Sequence, residues 1–157
     1  MSLTHLDAAG RARMVDVTGK PATDRTARAS GTLTCAASTL ALVRDGNTPK
    51  GNVVATAELA GVMGAKRTAE LIPLCHPLPL TKIDVTIDED AALPGFRLCA
   101  EVRTHGPTGV EMEALTAVAA ACLTLFDMLK AVDRTMVVGD IKVTAKSGGR
   151  SGDWSAG

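Results

Sequence analysis

The spacing of hydrophobic and polar positions changes several times along the chain, and each change marks an element. Over Arg25–Cys35 the pattern alternates, with Ala27, Ala29, Gly31, Leu33 and Cys35 on one side and Arg28, Ser30, Thr32 and Thr34 on the other. That is a half-buried strand. Ile83, Val85 and Ile87 alternate with Lys82, Asp84, Thr86 and Asp88, and after a loop containing Pro94-Gly95 the alternation resumes through Phe96, Leu98, Ala100 and Val102. These two runs predict a hairpin. A last strand passes through Ile141, Val143 and Ala145. Elsewhere the period lengthens. Ser38 is placed to cap a short helix ending at Arg44, and Asp45-Gly-Asn-Thr-Pro-Lys-Gly51 is a loop by its turn residues. Asn52 then caps a helix to Lys66, whose Ala57, Ala60, Gly61 and Gly64 would allow close backbone approach at some loss of helix propensity.

The longest helical pattern runs from Glu111 to Lys130. With Glu113 as origin and about 100° per residue, Leu115, Val118, Cys122, Leu125, Phe126 and Leu129 gather on one side as a core stripe. Glu113, Ala117, Ala120, Thr124 and Asp127 share the other, a floor of small residues with a carboxylate at each end. The order β-α-β-β-α-β is the ferredoxin-like split βαβ arrangement, an α+β fold with an antiparallel sheet and helices on one face. That architecture hosts many unrelated functions. The chain reads as a single domain over 1–157, with a polar leader over 1–24 that includes a short Met14–Val17 segment, and a Gly-rich tail over 146–157 expected to be mobile without a ligand.

Composition narrows the function classes. Hydrophobic residues make up 46% but aromatics only 2%, so Ala, Val, Leu and Met must build the core, and no aromatic platform is available for stacking nucleic-acid bases. Lys+Arg and Asp+Glu balance at 17 each, which removes any global field for nucleic acid. Anion binding must therefore be local. Cys35, Cys75, Cys99 and Cys122 show no CxxC spacing, and the pattern reads as reduced thiols in a cytoplasmic protein. No signal-peptide pattern opens the chain, and no run approaches roughly 18 continuous apolar residues, so no membrane partner is expected.

Each candidate for chemistry has a plainer reading beside it. Glu111 follows Thr108 by three, which reads as a capping box. Glu113 lies past the cap on the small-residue face, either a site carboxylate or a solvated one. Asp127 and Lys130 form an i,i+3 pair of the kind that decorates many exposed helices. Leu71-Ile-Pro-Leu-Cys-His-Pro-Leu-Pro79 is held extended by its prolines, and a Cys75-His76 pair pinned there suggests a rigid pocket wall. His76 could donate to a phosphate or shuttle a proton. Zinc is disfavoured, because adjacent Cys and His rarely chelate one ion and no second ligand pair stands at the usual spacing. Lys50, directly before a helix start, could meet an anion together with free backbone N–H groups, or be a solvated loop lysine. Gly61-Val-Met-Gly-Ala-Lys66 lacks P-loop spacing and falls inside a helix. Lys146 and Arg150 on the glycine-rich tail could close over a phosphate chain, though a basic terminus needs no function.

Together these segments resemble the cyclic pyranopterin monophosphate synthase family of molybdenum cofactor biosynthesis. The resemblance covers nearly the whole chain, from Leu3-Thr-His-Leu and Met14-Val-Asp-Val onward. Its most specific parts are Lys50-Gly51, Ala65-Lys-Arg-Thr with Leu71-Ile-Pro-Leu-Cys-His-Pro-Leu78, Thr108-Gly-Val-Glu-Met-Glu-Ala-Leu-Thr116, Asp127-Met-Leu-Lys-Ala131 and Lys146-Ser-Gly-Gly-Arg-Ser-Gly152. Asn52 and Arg150 depart from the family pattern, where Asp and Lys are usual; Asn keeps the capping role, and Arg keeps the charge.

The resemblance implies a lyase that converts (8S)-3′,8-cyclo-7,8-dihydroguanosine 5′-triphosphate to cyclic pyranopterin monophosphate and releases pyrophosphate. It implies a homohexamer, a trimer of dimers, with sites at a subunit interface. It makes Asp127 the acid/base residue with Lys50 and Lys130 as partners and His76 beside them. Leu74, Cys75, Met112 and Glu113 would line the substrate pocket, and Arg25 and Lys146 would face the phosphates. No cofactor is implied beyond Mg²⁺ travelling with the triphosphate. The rival readings are a non-catalytic nucleotide-binding regulatory module of the same fold and a Cys/His zinc hydrolase. Glu113 and Asp127 lie fourteen residues apart, about 21 Å along a helix, so the two ends are expected to serve different sites completed across a two-fold interface.

Overall fold

The computed structural model describes residues 5–157, so Leu3 and Thr4 of the Leu3-Thr-His-Leu match lie outside the described residues. Its elements follow the order β1 (Thr23–Thr34), α1 (Ala37–Arg44), α2 (Val53–Lys66), α3 (Thr68–Leu71), β2 (Leu80–Asp90), β3 (Gly95–Gly106), α4 (Glu111–Leu129), β4 (Val137–Ser147) and β5 (Trp154–Ser155). The strands form one sheet in the order β2-β3-β1-β4-β5, with every neighbouring pair antiparallel. The first four strands have the ferredoxin-like arrangement that the sequence predicts. The one-turn α3 and the two-residue β5 were not foreseen. β5 arises because the glycine-rich tail turns back and lays Trp154 and Ser155 beside Lys146 and Ala145.

β1 and β3 pair in unbroken register from Thr23↔Gly106 to Thr34↔Gly95. Their inward side chains, among them Ala27, Ala29, Leu33, Phe96, Leu98, Ala100 and Val102, are buried beneath α4, while α2 packs on β2 and on α4. The outward face carries charge: Glu101 pairs with Arg28 at 2.6 Å and Arg103 at 2.7 Å, and Lys82 with Asp84 at 2.6 Å. α4 has 19 residues with a mean hydropathy of 1.6, long and apolar enough to cross a membrane by composition, yet 56% of that stretch is buried inside this fold as its central core helix.

The small-residue floor of α4 is covered by the chain itself. α2 packs along it, and a Cβ added to Gly64 would come within 2.6 Å of the Ala120 Cβ, while one at Gly61 would come within 3.0 Å of the Ala117 carbonyl. Glycine is what lets these two helix backbones approach so closely. Ala114, Ala117 and Ala121 are buried with the core stripe of Val118, Cys122, Leu125 and Leu129, so the apolar face is wider than the stripe alone.

Two helix starts differ from the sequence reading. α1 begins at Ala37 with Ala36 as its N-cap, so Ser38 lies inside the helix and caps nothing. The cap comes from the far end of the chain: one Asp133 carboxylate oxygen accepts from the Ala36 N–H at 2.8 Å and the Thr39 hydroxyl at 3.1 Å. The other accepts from the Thr135 N–H at 2.9 Å and the Thr135 hydroxyl at 2.8 Å. α4 begins at Glu111 with Val110 as its N-cap, so Thr108 stands two residues too early for a capping box and Glu111 is free to pair elsewhere. Asn52, in contrast, caps α2 as expected, accepting from the Ala55 N–H at 3.0 Å.

Asp133 is 7% exposed, and the Ala36 N–H above all, then the Thr135 and Thr39 donors, hold its carboxyl down at about 2, against an ordinary 3.8. A depressed carboxylate stabilises the fold in full above its unfolded pKa and loses that contribution as pH falls through the folded value. Asp133→Ala is therefore expected to lower unfolding free energy at neutral pH by on the order of 2 kcal/mol. Denaturant titrations should show the gap between variant and wild type closing as pH falls from about 4 toward 2; an equal gap at both ends would contradict the assignment.

Candidate functional site

The polar side chains singled out from the sequence collect at the two ends of α4. At its N-terminal end, the β3–α4 connection, the start of β1, the end of β4 with its glycine-rich turn, the leader and the Pro-rich segment before β2 all converge. They enclose two adjoining cavities. One, of about 330 Å³, is a trough whose lining includes Lys20, Arg25, Lys146 and Arg150 with Glu111 as its single carboxylate. The other, of about 290 Å³, has walls of Val15, Val17, Leu74, Leu78 and Met112, and its polar groups include His5, His76, Cys75 and Glu113. Lys20, Thr108, Gly109 and Glu111 line both, so the two form one continuous basin.

The trough is built to stay charged. Arg25 is oriented by backbone carbonyls, donating from Nε to Gly106 at 3.0 Å and from Nη2 to Pro107 at 3.2 Å. Its Nη1 lies where a Cβ on Gly149 would sit, 1.9 Å away, and Gly149 has φ +76°. A glycine there lets the tail close directly on the guanidinium. Lys146 donates to the Ser151 hydroxyl at 2.8 Å and pairs with Glu111 at 3.3 Å. Four cations against one carboxylate, on backbone arranged by glycines, make a receptor for a polyanion.

The adjoining pocket is drier. Glu113 is 4% exposed, and burial, with a smaller push from Glu111, raises its carboxyl above the ordinary 4.5. Burial, and then the Glu113 charge, also raises the Cys75 thiol, so Cys75 stays protonated and serves as wall rather than nucleophile. The His76 Nε2 lies 2.6 Å from the Val15 carbonyl. A carbonyl only accepts, so Nε2 carries a hydrogen and donates to it.

At the other end of α4, Asp127 accepts from Lys130 at 2.6 Å and from Lys50 at 3.2 Å, and Lys50 also donates to the Asp127 carbonyl at 3.1 Å. Lys130 first, then Lys50, lowers the Asp127 carboxyl below its ordinary value, although its side chain is 57% exposed. Position before a helix start left Lys50 either at an anion site on α2 or in solvent, while the family resemblance made it a partner of Asp127. Its ammonium reaches across to α4, because Gly51, with φ +76°, turns the loop before Asn52 takes up the cap.

The structure thus divides the expected set. Leu74, Cys75, His76, Met112, Glu113, Arg25 and Lys146 share one end, while Lys50, Asp127 and Lys130 share the other. His76 does not sit with the Asp127 group within one chain, because the length of α4 intervenes. Sequence reasoning missed Lys20, which lies in a leader without periodicity, and Val15 as the partner of His76. It also assigned Glu111 to a cap when that carboxylate faces the trough and pairs with Lys146. Among the described residues no group of three or more His, Cys, Asp or Glu could hold a metal ion.

The MoaC family model matches residues 14–149. The chain is 61% identical over 155 residues to the cyclic pyranopterin monophosphate synthase of Methylobacterium sp. (strain 4-46), covering 99% of this chain and 97% of that relative. It is equally similar over 155 residues, at 61%, to the Methylobacterium nodulans protein of the same name. The Brucella ovis protein of that name is 58% identical over 153 residues, 98% of this chain and 93% of the relative.

The raised Glu113 carboxyl has a measurable consequence. Folding penalises its charged form, a loss absent below the unfolded pKa and complete once pH has risen through the folded value. Glu113→Gln should therefore melt at a higher temperature than wild type at neutral pH, with the difference vanishing at a pH below the ordinary 4.5. A gain of the same size at both pH values would show that the charge is not its source.

Proposed function

The chain belongs to the MoaC family, and from that premise we propose that it is a lyase of molybdenum cofactor biosynthesis. Its substrate is (8S)-3′,8-cyclo-7,8-dihydroguanosine 5′-triphosphate, and its products are cyclic pyranopterin monophosphate and pyrophosphate. The observation that carries the reading is the basin at the N-terminal end of α4. A trough of Lys20, Arg25, Lys146 and Arg150 suits a triphosphate, and it opens into a pocket of the size and polarity for a reduced purine ring. Glu113 can accept from ring N–H groups, Met112 and Leu74 supply apolar contact, and Cys75 and His76 close the wall.

The reaction opens the purine-derived ring and recloses it as a pterin, which requires several proton transfers. Asp127 and its two lysines are the acid/base cluster for these steps. A carboxylate kept ionised between ammonium groups can take a proton while a lysine returns one, and each positioned transfer contributes roughly 10²–10⁴-fold. The cyclic phosphate then forms as a ribose-derived hydroxyl bonds to the α-phosphorus. Its proton passes to the cluster, and the bond to the bridging oxygen breaks with its electron pair leaving on pyrophosphate. Arg25 and Lys146 stabilise that leaving charge. Mg²⁺ would accompany the triphosphate as part of the substrate, with no resident cofactor.

Because one chain separates the two groups by the length of α4, the proposal includes a homohexamer, a trimer of dimers, in which one subunit's Met112-Glu113 end meets a neighbour's Asp127-Lys130 end. The cytoplasm is the proposed compartment, in keeping with four free cysteines.

Purified chain supplied with the cyclic dihydro-GTP should release pyrophosphate and the pterin product, and Asp127→Ala should be folded but inert. Binding without turnover would favour a regulatory module, and full activity in folded Asp127→Ala would refute the acid/base assignment. Co-assembled Glu113→Ala and Asp127→Ala subunits should recover part of the activity that each lacks alone. Absence of any recovery would rule out the shared site.

A further inference from the structure

Beside the Asp127 cluster, the mechanism above leaves one charged group unused. Arg134 lines the same open cavity of about 420 Å³ as Lys50, Asp127 and Lys130. Asp127 is the one carboxylate of that lining, and both lysines are already on it. Among the described residues Arg134 has no ion-pair partner. Its neighbour Asp133 makes no ion pair with it, both Asp133 oxygens being turned to Ala36, Thr39 and Thr135. Those same bonds pin the backbone from which Arg134 projects. The cavity holds three cations to one anion, and the guanidinium is the uncommitted one.

We propose that Arg134 is a substrate-binding residue that holds the α-phosphoryl oxygens while the cyclic phosphate closes. The inference rests on the functional reading above. An acid/base cluster that takes the proton of the ribose-derived hydroxyl must stand beside the phosphorus which that hydroxyl attacks. A cation in the same cavity therefore meets the α-phosphoryl group, whereas the trough from the other end of a neighbouring α4 takes the β- and γ-phosphates. The residue type fits this division. Lysines exchange protons and belong to the relay, but a guanidinium stays charged and offers parallel N–H groups to two non-bridging oxygens. As the hydroxyl oxygen bonds to phosphorus and the bridging oxygen departs with its electron pair, charge redistributes over those non-bridging oxygens, where a fixed cation favours the transition state over the ground state.

Steady-state kinetics of the full chain on the cyclic dihydro-GTP test this. Arg134→Ala should lower kcat by roughly 100-fold, the scale of losing one preorganised charge-stabilising donor. KM should change little. Arg25→Ala, in contrast, should act mainly on KM. Thermal unfolding and assembly state of Arg134→Ala should match wild type, since the side chain is exposed. Should that variant fail to assemble, Arg134→Lys decides, with a lowered kcat expected for loss of the planar fork and a wild-type kcat overturning the proposal. An active wild type with Arg134→Ala within about two-fold in kcat overturns it, and so does a rise in KM alone, which would make Arg134 a ground-state contact. An inert wild type instead refutes the lyase reading on which it rests.

Discussion

The two groups of polar side chains in this molecule are held apart by the rigid length of α4. Its 19 residues extend about 28 Å, buried in the middle against the sheet and α2 and polar at both ends. A helix packed on two layers does not bend to bring its ends together, so the separation of Glu113 from Asp127 is as fixed as the core itself. The close approach of α2 reinforces this. Gly61 and Gly64 meet the backbone and Cβ atoms of α4 with no space to spare, and a larger residue at Gly64 would drive the two helices apart. The stiffness that gives the fold its core also prevents one chain from completing a site out of both ends.

The two carboxylates on that helix show how position sets chemistry. Glu113 and Asp127 share a side of α4, yet burial raises one and flanking lysines lower the other. Environment alone gives two carboxyls on one helix opposite acidities. Glu113 carries a carboxyl reluctant to ionise, and Asp127 one held ionised between two ammonium groups. Burial and the Glu113 charge keep the Cys75 thiol protonated in a pocket with several apolar walls, beside a strongly basic trough. That contrast orients a ligand with one charged and one neutral end before any specific contact forms.

Much of this was legible in the sequence, for identifiable reasons. The strand pattern, the α2 cap at Asn52 and the extent of α4 are local properties, set by period and capping chemistry within a few residues. What the sequence could not convey depends on distant partners. Asp133 displaces Ser38 as the effective cap of α1 across 97 positions of chain. Lys146 takes Glu111 away from a capping role, and Val15 orients His76 across 61 positions. The small-residue floor of α4 and the glycines of α2 are both visible in the sequence, but nothing local indicated that the one would occupy the other. That Glu113 and Asp127 lie at separate ends of one helix followed from its length alone, whereas which side chains join each end came only from the fold.

That division has a consequence for symmetry. If each end of α4 carries half of a site, a two-fold axis that brings unlike ends of two copies together makes two complete sites at once, because an isologous contact repeats itself. Mutual pairing therefore leaves no half-site unmatched, and the dimer becomes the smallest unit in which all the polar groups have a use. Sites formed this way depend on assembly for their geometry but not for their parts. The Arg25 fork, the His76 ring and the Asp127–lysine cluster are each already oriented within one chain by carbonyls or by one another. Association then needs only to set two preformed surfaces at the correct distance, which limits the conformational entropy lost when the site closes.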